Sequence, residues 1–114
     1  MSSAVLQIDV AHPPLHPDLV EEALQEALAA ARNSPAVRVI KVIHGYGSSG
    51  RGGSTSDIVR NWAFRMRSRV LEVIPGETFS RFDPATQRMR RETGLFADTD
   101  MDAANRGVTY LWVR

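Results

Sequence analysis

The chain has 114 residues, 43% of them apolar and none of them cysteine. That suffices for one domain with its own core and excludes disulfides and thiolate metal sites. The formal net charge is +1. The start, MSSAVLQIDV, lacks the basic region and apolar core of a signal peptide, and no apolar run is long enough to span a bilayer. The expectation is a soluble, cytoplasmic protein with no membrane contact, built as a single domain over residues 1–114.

Residues 4–10, AVLQIDV, predict a first strand. AHPPLHP follows and is too rich in proline for a helix. Asp18 stands three residues before Glu21, the spacing of a capping box. Val20, Ala23, Leu24, Ala27, Leu28 and Ala31 then recur at helical spacing and predict a helix over 18–33. Glu21, Glu22 and Glu26 take its wet side. Residues 36–43, AVRVIKVI, read as a second strand. Next comes GYGSSGRGG, with five glycines in residues 45–53.

Ser54, Thr55 or Ser56 is placed to cap a second helix, whose apolar stripe is Ile58, Val59, Trp62, Ala63, Met66 and Val70. VLEVI predicts a third strand and GVTYLWV a last one. The stretch from Pro75 to Arg106 is too long for a bare loop, and Asp83-Pro84 opens a short third helix within it. The order β-α-β-α-β-β predicts an α/β two-layer sandwich. Its sheet is mixed and four-stranded, with the first three strands parallel and the helices packed on it.

Strand, glycine-rich loop and helix form the arrangement in which backbone N–H groups and a helix N-terminus face an anion. Gly45-x-Gly47-x-x-Gly50 matches the spacing of a dinucleotide fingerprint, with Glu72 near the acidic position. Against it, the loop runs several residues too long before its helix. A triphosphate loop requires Gly-Lys-Ser/Thr, and GRGGS has no lysine. The charge distribution is uneven: residues 1–31 hold five acids and no Lys or Arg, whereas residues 51–91 hold nine arginines against four acids. That asymmetry points to a polyanionic partner, although solvated helix faces give the same pattern.

VIHGYGSSGRGG, at the end of the second strand, resembles the His-Gly-x-Gly motif of the small MutS-related (Smr) domain. VEEALQEAL resembles that family's first helix, RNWAF lies where its second helix falls, and the likeness runs in order to GVTYLWV. The resemblance implies a fold similar to the C-terminal domain of bacterial translation initiation factor three. It implies a partner, DNA or RNA, and in some members nicking or cleavage of it. The family's other motif, Leu-Asp-x-His, ends the first strand. Here LQIDVAHPP has Ile8 for the leucine and keeps Asp9, while Ala11 stands where the histidine belongs. His12 comes one residue later, an offset that on a strand points to the opposite face. Residues 76–104 form an insertion relative to the family.

On this reading His44 donates to a phosphate or moves a proton, its ordinary pKa being about 6.5; the plainer role is a bond to the loop backbone. Asp9, with His12, activates water or a ribose 2′-hydroxyl, or holds a divalent cation such as Mg2+; the alternative is a local cap. Amides of Gly45, Gly47, Gly50, Gly52, Gly53 and Ser54, together with Arg51, cradle a phosphate. Tyr46 stacks on a base or covers the sheet edge. Phe64 falls opposite its helix's apolar stripe, flanked by Arg60 and Arg67. It either stacks a base or, as favoured here, lies under residues 76–104. The expected function is nucleic-acid binding with DNA-nicking or RNA endonuclease activity. The alternative is a non-catalytic module docking on structured nucleic acid or a nucleoprotein partner.

Overall fold

The computed structural model describes residues 4–46, 53–94 and 98–114, without the side chains of 53 and 54. Its strands are β1 (Val5–Asp9), β2 (Val39–Ile43), β3 (Glu72–Pro75) and β4 (Val108–Trp112). They form one sheet in the order β1-β2-β4-β3. β1 runs parallel to β2, and β4 runs antiparallel to both β2 and β3. The first three strands thus share a direction, as the crossover pattern predicts. β4 lies between β2 and β3, so β3 is an edge strand. VIKVI and VTYLW read as unbroken runs because both central strands are covered on two faces.

The helices are α1 (Pro17–Arg32), α2 (Gly53–Arg65) and α3 (Pro84–Thr93). The expected capping box at Asp18 and Glu21 does not form. Pro17, with its fixed φ, occupies the first turn, and His16 caps the helix by accepting the Asp18 N–H at 3.2 Å. Glu21 instead receives Arg65 at 2.6 Å, which ties α1 to α2. No helix among the described residues is long and apolar enough to cross a membrane.

Strand alternation sends Ile40, Val42 and Leu111 to one face, where they pack with Val20, Leu24 and Leu28 of α1 and with Val59, Trp62 and Ala63 of α2. Val39, Val108, Tyr110 and Trp112 point the other way, against Phe79 and Met89. Residues 76–104 therefore supply the cover for the second face. Phe79 stacks on Tyr110 with ring centroids 4.0 Å apart. α3 is bounded as Asp-Pro and Gly predict: Asp83 accepts the Thr86 N–H at 2.9 Å, and Gly94 ends the helix at φ 98°.

An ionic network locks this second layer to β2. Lys41 is 7% exposed at its side chain, and its Nζ lies 3.0 Å from Asp98 and 2.6 Å from Asp100. The Tyr110 hydroxyl donates to Asp98 at 3.1 Å and the Asn105 amide to Asp100 at 2.8 Å. A lysine inside the apolar run VIKVI was the one sequence signal for it.

Candidate nucleic-acid interface

β1 and β2 end side by side, with Asp9 in register with Ile43. Asp9 Oδ1 accepts the N–H groups of Ala11 at 2.8 Å and His12 at 3.0 Å. These bonds turn the chain directly after the strand. The offset of His12 therefore does not carry it to the opposite face: strand alternation ends at Asp9, and the turn brings the imidazole back. His12 Nδ1 lies 3.1 and 3.0 Å from the two Asp9 oxygens. Burial works against the Asp9 charge, but the Ala11 amide, the His12 ring and the His12 amide outweigh it and hold the carboxyl below its ordinary value. Beside this ionised acceptor the proton of a neutral imidazole sits on Nδ1, which leaves Nε2 as the free nitrogen of a side chain that is 70% exposed. Ala11 faces Gly45, since a Cβ built on that glycine would lie 3.7 Å from its own.

The donor set around Asp9 does not suit the expected Mg2+. Both carboxylate oxygens are engaged by His12, Oδ1 also holds two amides, and no group of three or more His, Cys, Asp or Glu gathers among the described residues.

His44 is not brought to Asp9. It continues the Ile40 and Val42 face, opposite to that of Asp9, and is 1% exposed. Its Nδ1 donates to the Gly45 carbonyl at 2.9 Å, while the Thr109 hydroxyl donates to Nε2 at 2.9 Å. Burial first, and then the charge of Arg60, push its pKa below the ordinary value; the Gly45 carbonyl and Glu77 oppose the shift without cancelling it. His44 is therefore neutral at pH 7, with both nitrogens occupied. In the unfolded chain it takes a proton as pH falls through about 6.5, so the unfolded state binds more protons there and folding stability declines on acidification. His44→Asn keeps a donor toward Gly45 and removes the titration. Thermal melts between pH 7.5 and 5.5 should fall less steeply for this variant than for the parent.

Gly45 has φ 74°, where glycine is favoured. Its N–H goes to the Gly107 carbonyl at 3.0 Å, beside that of His44 at 2.8 Å. This corrects the expected cradle by one member: the Gly45 amide is already taken. Tyr46 follows and is exposed. Gly47, Gly50, Arg51 and Gly52 lie outside the described residues; Gly53 opens α2, and the Ser54 side chain is outside the description as well.

Arg60 is anchored by two bonds to Glu77, at 2.8 and 2.7 Å, and reaches the Arg106 carbonyl at 3.2 Å. Phe64 is 62% exposed. The favoured expectation that residues 76–104 cover it is wrong, because that segment packs its apolar side chains on the other sheet face and reaches α2 through Glu77, at Arg60. The Arg67 guanidinium instead sits 3.8 Å from the Phe64 ring centroid and donates to the Phe64 carbonyl at 2.6 Å.

No protein-family model and no curated protein matches the sequence. Among solved structures, the fold is similar to the Smr domain of Thermus thermophilus MutS2, with a TM-score of 0.57 and 18% identity. The superposition covers 96% of this chain and 98% of that one. Taken with the strand–loop–helix order already described, that likeness makes the chain an Smr-like domain in fold.

Proposed function

We propose that this domain binds nucleic acid at the C-terminal ends of β1 and β2 and hydrolyses or transesterifies a phosphodiester there, with His12 as the base. The observation that carries the proposal is the Asp9–His12 pair, a carboxylate orienting an exposed imidazole at 3.0 Å. Asp9 fixes the ring and supports the positive charge it gains. His12 Nε2 takes the proton from water or a ribose 2′-hydroxyl as that oxygen bonds to phosphorus, and the P–O bond opposite breaks, the leaving oxygen taking a proton from solvent. Arg51 and the amides of the glycine-rich stretch are the groups the sequence offers to the phosphate. His44 acts by positioning: its bonds to Gly45 and Thr109 fix the start of the loop.

Two observations favour the second reading, a docking module without cleavage. Ala11 stands where the Smr motif has histidine, and His44 has no free nitrogen. Labelled single-stranded, duplex and branched DNA and RNA separate the readings. Cleavage is expected to survive EDTA and to drop by about 100-fold or more in Asp9→Asn and in His12→Ala, with affinity retained. Binding without cleavage selects the docking module. Absence of binding to every oligonucleotide ends both.

A further inference from the structure

Resting on the nucleic-acid reading, we infer that the groove between α2 and β3 takes one unstacked nucleobase against the Phe64–Arg67 pair. The groove has a volume of about 500 Å³ and is lined by Phe64, Arg67, Leu71, Val73, Pro75 and Thr109, among others. Two of its walls, Phe64 and Leu71, are large exposed apolar side chains that nothing in the described fold covers. The Arg67 guanidinium is already held over the ring at 3.8 Å, pinned by its bond to the Phe64 carbonyl. The two side chains thus form a pre-set stack of planar groups at little further cost in side-chain freedom. Aromatic rings and guanidinium planes are the surfaces on which splayed bases stack.

Charge selects the same occupant. Arg60, Arg65 and Arg88 each have a carboxylate partner, at 2.7, 2.6 and 3.3 Å. Glu72 also lines the groove but is paired with Arg88, and among the described residues Arg67, in the lining, has no carboxylate partner. A cationic group without a counter-ion beside an apolar floor matches a nucleotide, which brings a flat apolar ring and a phosphate together. An apolar peptide would leave that charge uncompensated. A paired base in a duplex has no free face to offer, so the site takes single strands, loops or ends.

The test uses the full chain, a single-stranded oligonucleotide carrying one 2-aminopurine, and a duplex of the same sequence. The parent is expected to quench 2-aminopurine in the single strand. Phe64→Ala should weaken single-strand affinity by on the order of 10-fold or more and relieve the quenching. Phe64→Leu, which keeps bulk but loses the π-face, should behave nearly as poorly, while duplex affinity stays unchanged. Because Phe64 is exposed, circular dichroism melts should show both variants folded. Unchanged single-strand affinity and quenching in folded Phe64→Ala overturns the inference and leaves the broader binding reading standing. Duplex binding with no single-strand binding does the same. Failure to bind any nucleic acid removes both together. Parent chains that self-associate, with Phe64→Ala monomeric by gel filtration and no base quenching, make a second copy the occupant and also overturn it.

Discussion

Lys41→Met should destabilise the fold by about 3–5 kcal/mol. The substitution leaves the carboxylates of Asp98 and Asp100, whose side chains are only 9% and 18% exposed, beside an apolar side chain instead of an ammonium. The Tyr110 hydroxyl and the Asn105 amide remain, but neither carries charge. In the parent, burial works against the Lys41 charge, yet its hydrogen bonds to Asp100 and Asp98 and their charges raise its pKa above the ordinary value. The stabilisation from Lys41 is therefore complete below its unfolded pKa of about 10.4 and is lost as pH rises through the higher folded value. Both pH 8 and pH 5 lie on that plateau, so the loss of the ammonium is expected at either. Adding Asp98→Asn and Asp100→Asn should restore much of the loss. Urea midpoints for parent, single and triple variants at pH 8 and pH 5 measure all of this, and a Lys41→Met midpoint equal to the parent's would remove the network from the account of stability.

Gly76→Ala should be nearly as damaging, for reasons of space. Gly76 is buried where β3 meets the next turn. A Cβ there would lie 2.0 Å from the Asn105 carbonyl oxygen, 2.5 Å from Val108 Cγ2 and 2.8 Å from the Val108 carbonyl oxygen. Two of these atoms are backbone, and the backbone is fixed: Val108 pairs with Ile43 in the sheet, and the Asn105 side chain bonds to Gly107 and Asp100. No rotamer change relieves the contact, so the chain must shift between β3 and β4. Overpacking of this kind costs about 1–3 kcal/mol and occasionally more; with backbone oxygens opposing the methyl, the upper end is expected. Gly94→Ala is the control. Gly94 has φ 98°, but a Cβ would meet nothing within 4 Å, so only the left-handed backbone is penalised, by about 1–2 kcal/mol. Calorimetric melting of the two variants should place Gly76→Ala below Gly94→Ala, and the reverse order would show that the β3–β4 junction yields easily.

The parts of this protein that could be read directly from residues depend on near neighbours. Helical spacing predicts α1 and α2, the Asp83-Pro84 pair predicts the start of α3, and β-branched runs predict the strands, each to within a few residues of the observed bounds, except that Val70, counted with the stripe of α2, lies five residues past its end in extended backbone. Those patterns arise from 3.6- and 2-residue periods and from caps that act within one turn. The resemblance carried by VIHGYGSSGRGG adds the fold as a whole. It does so without saying which amides or side chains stay available.

Availability was decided by residues distant along the chain. Gly107 takes the Gly45 amide, Thr109 and burial keep His44 neutral and fully bonded, and Lys41 finds a partner 57 residues away in Asp98. Phe64 is exposed because residues 76–104 are needed on the other face, where β4, as a central strand, turns Val108, Tyr110 and Trp112 toward solvent unless something covers them. His12 returns to Asp9 because the strand stops there and the carboxylate gathers the next two amides. Local sequence sets which element forms, since the interactions that nucleate it lie within a few residues. Strand order, facing and the occupation of each polar group follow from contacts that exist only once the chain has closed on itself.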